Sequence, residues 1–201
     1  MRDLLEVKFY YDYKSSYTCV GMEPALALEQ SHRVRLRYIP FDLDIRGLFG
    51  DVDNRPEWAW RKIRYSYYDV RRFAAERGIL IRGPKKVFDS RLALIGGLYA
   101  DKHGQFKPYS LRVITRFFRR ELDIEDSKAL GAVLAEVGLD PLDFEDYAKN
   151  EGPADFEQCA AESNRDKVFG VPTLVVDGEL FWGNDRIDWV VKKLDKMGLR
   201  R

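Results

Sequence analysis

The sequence predicts a mixed α/β domain interrupted by a large all-helical insertion. Three observations carry this. Residues 1–43 hold a strand–helix–strand pattern, and residues 154–201 hold a helix–strand–strand–helix pattern. Between them, residues 44–153 show helical apolar spacing and no strong strand signal.

The opening strand alternates, with Leu5, Val7, Phe9 and Tyr11 on one side and Glu6, Lys8 and Tyr10 on the other. Asp12 and the pair Ser15-Ser16 then offer a helix start. The stretch to about Ser31 fits a helix, which Pro24 is expected to bend because its ring removes a backbone donor. Val34 to Pro40 alternates again, and the short strand–helix–strand return implies parallel pairing. In the central block the spacing predicts helices over 58–77, 111–122, 125–137 and 141–149. The aromatic residues Trp58, Trp60, Tyr65, Tyr67 and Tyr68 lie at helical spacing, so packing is their expected role; a partner groove is the alternative. Near the end, a helix from Phe156 to about Lys167 precedes the β-rich run Thr173 to Val176. Asp177-Gly178 signals a tight hairpin, Glu179 to Trp182 returns antiparallel, and a last helix follows from Arg186 to about Met197.

Composition excludes several classes. Of 201 residues, 45% are hydrophobic and 33% charged, the balance of an ordinary globular chain. The 34 basic and 33 acidic side chains leave a net charge of +1, so no global field attracts polyanions. Arginine clusters at 71–82 and 112–120 are interleaved with acids and read as solvated helix faces; no nucleic-acid partner is expected. Residues 1–12 lack a signal-peptide pattern and no run approaches the roughly 18 apolar residues needed to cross a bilayer, so a cytoplasmic protein without a membrane partner is expected. Cys19 and Cys159 form no C-x-x-C pair and only two histidines are present, so no metal site is expected.

Three segments carry candidate chemistry. The first, Tyr11 to Thr18, joins the first strand to the first helix, where open α/β sheets bind ligands and unpaired helix N–H groups favour a thiolate. Ser15 or Ser16 could equally be a plain N-cap. In the second, Pro172 stands directly before a strand; a cis Val171-Pro172 bond would let Val171 offer its amide and carbonyl to a peptide-like ligand, and a plain turn is the alternative. The third, Trp182-Gly183-Asn184-Asp185-Arg186, suits an amino-acid headgroup, Arg186 meeting a carboxylate and Asp185 an ammonium; capping with a surface ion pair would also explain it.

Taken together, Phe9-Tyr10-Tyr11-Asp12-x-x-Ser15-x-Tyr17, Val168 to Thr173 and Trp182 to Arg186 resemble the 2-hydroxychromene-2-carboxylate isomerase family. That family is related to kappa-class glutathione transferases and more distantly to DsbA-like disulfide oxidoreductases. Asn54-Arg55-Pro56 and Lys62-x-x-Tyr65-x-x-x-Asp69 resemble the start of its helical insertion. The resemblance implies a thioredoxin-like (DsbA-like) domain with a helical insertion, glutathione as cofactor, an aromatic or conjugated small-molecule substrate and a homodimer. It implies that Ser15 hydrogen-bonds the glutathione sulfur and that Val171 and cis Pro172 hold the cysteinyl backbone. Asn184, Asp185 and Arg186 would bind the γ-glutamyl end, with Asn54 and Lys62 reaching in from the insertion and Ser16 and Tyr17 beside the substrate.

The chain departs from the family at one turn: where Ser-Pro-Tyr-Ser is usual, it reads Ser15-Ser16-Tyr17-Thr18. This puts substrate identity in question more than fold. A dithiol oxidoreductase is disfavoured, because exchange needs an attacking and a resolving thiol and neither hydroxyl serves. A glutathione transferase or peroxidase would use the same thiolate with another second substrate, and an idle binding protein would use the same scaffold. Cys19, beside the turn, and Cys159 are both expected as small core filler.

Overall fold

The computed structural model describes residues 4–201, so residues 1–3 of the first expected segment lie outside the described residues. The chain opens with β1 (Leu5–Tyr11), α1 (Ser16–Leu26), α2 (Leu28–Ser31) and β2 (Val34–Pro40). A helical block follows: α3 (Ile45–Phe49), a 3-10 turn (Val52–Asn54), α4 (Glu57–Glu76), α5 (Arg91–Lys102), α6 (Phe106–Arg119), α7 (Ser127–Ala135) and α8 (Pro141–Lys149). The chain closes with α9 (Gly152–Arg165), β3 (Thr173–Val176), β4 (Glu179–Trp182), a 3-10 turn (Asn184–Arg186) and α10 (Ile187–Lys196). No helix among the described residues is long and apolar enough to cross a membrane.

The four strands form one mixed sheet in the order β2-β1-β3-β4. β1 and β2 pair in parallel from Leu5 opposite Val34 to Tyr11 opposite Pro40, as the short strand–helix–strand return requires. β3 runs antiparallel to both β1 and β4. The β3–β4 turn places Asp177 at φ 50° and Gly178 at φ 77°, the paired positive angles of a tight hairpin.

The two faces of β1 are closed by different chemistry. Val7, Phe9 and Tyr11 enter the main apolar core with Val20 and Met22 of α1, Phe106 of α6, and Val190 and Leu194 of α10. Phe106 stacks on Tyr38 at 3.7 Å and meets Tyr11 edge-on at 5.1 Å. On the opposite face α9 docks through ions. Glu162 takes both guanidinium nitrogens of Arg37 (2.9 and 2.6 Å) and the Lys8 ammonium (2.9 Å). Asp166 accepts from Lys8 and from the Tyr10 hydroxyl, each at 2.6 Å. The alternation expected of a half-exposed strand therefore understates β1, since Tyr10 is as fully buried as Phe9.

Most helices start where their residues dictate. α6 buries Phe106, Tyr109, Ser110, Val113, Ile114, Phe117 and Phe118, one apolar stripe at helical spacing. Asp126 and Asp140 cap α7 and α8, with Pro141 in the first turn of α8. The helix expected to run to Ser31 breaks at Ala27, three residues after Pro24.

α5 is one element that periodicity does not delimit. Its Ala93, Leu94, Ile95, Gly96, Gly97, Tyr99 and Ala100 are all buried, so it lacks a polar face to generate a 3.6-residue period. It packs against β2 and α9, tying the helical block to the sheet. α9 begins at Gly152, two residues before the boundary expected at 154.

The aromatic residues of α4 correct an expectation. Trp60 and Tyr67 are half-buried, but Trp58, Tyr65 and Tyr68 are 60, 60 and 65% exposed. Helical spacing aligns these three, but on the outward stripe. The cysteines are both free. Cys19 is buried, while Cys159 is half-buried beside the smaller cluster around Tyr10 and Val171. Burial pushes their thiols up to about 12 and about 11.

Two predictions follow from this packing. A Cβ at Gly97 would lie 2.4 Å from the Tyr11 hydroxyl oxygen and 2.7 Å from that of Tyr13. Both rings are fully buried and cannot swing aside. Gly97→Ala should therefore destabilise by about 1–3 kcal/mol in urea unfolding, although helix propensity alone would stabilise it by about 1 kcal/mol.

Burial favours the neutral form of Asp166, but hydrogen bonds from Lys8 and Tyr10 outweigh it and hold the carboxyl below its ordinary value. The stability it contributes is present above its unfolded pKa, about pH 4, and lost as pH falls through the folded value. Asp166→Asn should lower stability at pH 7 and flatten the acid limb of a urea-midpoint profile.

Candidate active site

β1 delivers the chain to the N-terminus of α1, and Asp12 fixes the turn between them. Fully buried, Asp12 accepts from the backbone amides of Lys14 (3.0 Å) and Leu43 (2.8 Å). The Lys14 ammonium lies 3.4 Å from Asp12 and also pairs with Asp42. Burial pushes the Asp12 carboxyl above its ordinary value, against the pull of Lys14 and the two amides. One buried carboxylate thus ties the β1–α1 turn to the strap that follows β2.

Ser15 is the N-cap of α1, and both of its readings hold at once. Its Oγ accepts the Thr18 amide at 3.2 Å and donates to the Val171 carbonyl at 3.2 Å. The Val171-Pro172 bond is cis, as the isolated proline before a strand suggested. Val171 accepts from Ser15 through its carbonyl. Its amide donates no hydrogen bond among the described residues.

Gly21, one and a half turns into α1, draws the C-terminal half onto this spot. A Cβ there would lie 3.2 Å from Pro172 Cγ and 3.1 Å from Asn184 Cβ, so glycine lets both sit closer than a side chain would. The Gly183 amide donates to the Pro172 carbonyl at 2.8 Å, closing the β4 end onto the proline loop. Asn184 is 6% exposed, and its Nδ2 has no partner. Asp185 and Arg186 stand at the exposed rim, paired with each other at 2.6 Å. Beside them the exposed rings of Phe169 and Trp182 meet edge-on at 4.9 Å.

Ser15, Val171, Pro172 and Asn184 therefore meet in one patch, flanked by Asp185 and Arg186. Ser16 and Tyr17 form the first turn of α1, and the Tyr17 hydroxyl donates to Asp69 of α4 at 3.0 Å. Burial, with that bond to Asp69, pushes the Tyr17 phenol up to about 12. Asn54 and Lys62 are exposed and touch none of these residues through a hydrogen bond. The Lys62 ammonium lies over the Phe49 ring, 5.5 Å from its centroid. Asp69 meets the start of α1, and the Arg77 guanidinium reaches the Val20 carbonyl further along it, so α4 runs parallel to α1. Lys62 shares a face with Asp69 seven residues later, about 10 Å further toward and past the N-terminus of α1. Among the described residues no group of three or more His, Cys, Asp or Glu is placed to hold a metal.

Sequence reasoning placed Asp12 in the helix start and in the family motif without its anchoring role, and missed Gly21 as a builder of the site. Gly21 carries no local signal, since its role is set by residues more than 150 positions away.

A sheet of this order with a hydroxyl-capped helix facing a cis-proline loop is the mark of a thioredoxin-like protein without the redox cysteines. The chain belongs to the DSBA-like thioredoxin domain family, whose model matches residues 6–195. Among curated proteins it is similar to the 2-hydroxychromene-2-carboxylate isomerase of Pseudomonas putida, 30% identical over 185 residues and 90% of each chain. Among solved structures, a 2-hydroxychromene-2-carboxylate isomerase superposes with a TM-score of 0.81 over 96% of both chains at 24% identity. A cytosolic disulfide reductase of Pseudomonas aeruginosa, solved with GSH, gives a TM-score of 0.61 at 18% identity over 95% of this chain and all of that one.

The cap itself is testable. Removing the hydroxyl leaves the Thr18 amide without its acceptor, so Ser15→Ala should cost about 1 kcal/mol in urea unfolding while leaving the fold intact by circular dichroism.

Proposed function

We propose that this chain is a glutathione-dependent isomerase resembling 2-hydroxychromene-2-carboxylate isomerase, acting on an aromatic conjugated small molecule. The observation that carries the proposal is the placement of the Ser15 hydroxyl, at the N-terminus of α1 and directly against the cis Val171-Pro172 loop. The names of its relatives supply the reaction class, and the solved relative holding GSH supports the cofactor.

The residues present fit glutathione. The Val171 amide has no partner, the buried Asn184 Nδ2 lacks an acceptor, and Arg186 and Asp185 offer opposite charges at the rim. In this proposal Val171 holds the cysteinyl backbone, while Asn184, Asp185 and Arg186 hold the γ-glutamyl end. Lys62 and Asn54 approach from α4 and the turn before it. Bound glutathione would supply a nucleophilic thiolate for reversible addition to the conjugated substrate.

What the chain contributes is the stabilisation of that charge. Ser15 turns its hydroxyl from the Val171 carbonyl to the sulfur, a charge-assisted hydrogen bond worth about 1.5–3 kcal/mol. The end of α1 adds about 0.3–1 kcal/mol. Together these lower a thiol pKa by roughly two, at 1.36 kcal/mol for each step of one. Dithiol exchange has no support here: positions 15 and 18 are hydroxyls, and the nearby Cys19 thiol is buried and pushed up to about 12.

Ser15→Ala should lower kcat on the order of 10²-fold while leaving calorimetric glutathione binding within a few-fold. Because the thiolate is the active form, activity falls as pH drops below the bound thiol pKa. Losing Ser15 raises that pKa, so the acid limb should move to higher pH. Arg186→Ala should weaken glutathione binding. Unchanged turnover in Ser15→Ala would overturn the role of Ser15, and no detectable glutathione binding would overturn the cofactor.

A further inference from the structure

We propose that Arg77 of α4 is a positioning residue for Ser15. Its guanidinium replaces the hydrogen-bond donor that Pro24 removes from α1, and its charge acts through α1 on the Ser15 hydroxyl. The role at Ser15 rests on the thiolate reading of the site; the capping of α1 does not.

Inside an α-helix each carbonyl accepts from the amide four residues later. Proline has no amide hydrogen, so Pro24 leaves the Val20 carbonyl without its donor. Val20 is fully buried, where an unmade backbone hydrogen bond is costly. The Arg77 guanidinium fills the place, donating to that carbonyl from 57 residues further along the chain. Arginine suits the task because it presents several donors on a long stem and keeps its charge. α4 is held where it can deliver this group, since Asp69, about two turns earlier, accepts from Tyr17 at the start of α1 at 3.0 Å.

The Val20 carbonyl has a particular place in α1. Backbone hydrogen bonds link the peptide groups of a helix into three separate chains, and one of these begins at Ser15. Its Oγ accepts the Thr18 amide at 3.2 Å. The carbonyl of that same peptide group belongs to Tyr17 and accepts from the Gly21 amide within the helix. The carbonyl joined to the Gly21 amide is that of Val20, where Arg77 closes the chain. Pro24 interrupts this chain and neither of the others. Linked hydrogen bonds polarise one another. A positive charge at one end therefore makes Thr18 a stronger donor to Ser15 at the other, and the Ser15 hydroxyl in turn a stronger donor to an anion.

A reporter thiol reads this effect without glutathione. In Ser15→Cys the introduced thiol stands at the helix N-terminus and should titrate below the ordinary value of about 8.5. Cys19 and Cys159, pushed up by burial to about 12 and about 11, stay protonated through that range. Adding Arg77→Ala should raise the pKa of the introduced thiol by roughly 0.3–1, the effect of one charge about 10 Å away. Arg77→Lys should restore most of the difference. Arg71→Ala removes an equal charge from the same helix, one whose guanidinium rests on the Ile81 carbonyl, and should move the thiol by less than half as much.

In urea unfolding with Ser15 intact, Arg77→Ala should lower the midpoint. Pro24→Ala returns an amide to the Val20 carbonyl and should remove most of that loss. Should Arg77→Ala prove unfolded by circular dichroism, Arg77→Gln, which keeps a neutral donor, is titrated in its place. An unmoved thiol in the Arg77 variant, or an equal shift in Arg71→Ala, would overturn the role at Ser15. A urea cost that Pro24→Ala leaves intact would overturn the capping. The predicted shift of the introduced thiol supports the role of Arg77 whether or not glutathione binds, so failure of the cofactor reading is told apart from failure of this one.

Discussion

The Ser15 hydroxyl accepts from the Thr18 amide and donates to the Val171 carbonyl, and the site depends on both halves of that contact. One half finishes the first turn of α1. The other crosses 156 residues of sequence to hold the cis-proline loop against it. Everything else around the patch keeps these two partners in register. Gly21 removes the side chain that would separate them, Asp12 anchors the turn leading to Ser15, and the Gly183 amide closes the far side of the loop.

The sheet supports this arrangement by treating its faces differently. Apolar and aromatic side chains on one face of β1 give a close-packed floor for α1 and α10. On the other face α9 is fixed by Glu162 and Asp166, whose partners Lys8, Tyr10 and Arg37 all point away from the main core. Close-packed contacts on one face and directional ion pairs on the other leave β1 no freedom to slip. A register shift of one residue would bury Lys8 in the apolar core and expose Phe9. The end of β1, and Ser15 with it, is placed as firmly as the strand.

Positions 15 and 18 of the turn are both hydroxyl side chains, Ser15 and Thr18. Among the described residues the Val171 amide, the Asn184 Nδ2 and the Thr18 hydroxyl have no hydrogen-bond partner. The hydrogen bond between Tyr17 and Asp69 links this end of α1 to α4, so the helical block and the site share one boundary.

Local chemistry was enough to determine much of this protein. Alternation placed β1 and β2, Asp177-Gly178 placed the hairpin, and the isolated proline marked the cis bond, because each depends on the conformational preferences of a few adjacent residues. The segments around Ser15, Val171-Pro172 and Asn184 to Arg186 each left a plain structural alternative open and stood out only through their joint resemblance to one family. Tertiary structure decided the rest. Helix α5 shows no period because it is surrounded by protein, and the roles of Gly21 and Gly97 are set by residues remote in sequence. The spacing of Trp58, Tyr65 and Tyr68 fixes that they share a stripe; only the packing of α4 against α1 decides that the stripe faces outward. Periodicity records which residues lie together on a helix, and the side that meets the core is a property of the whole chain.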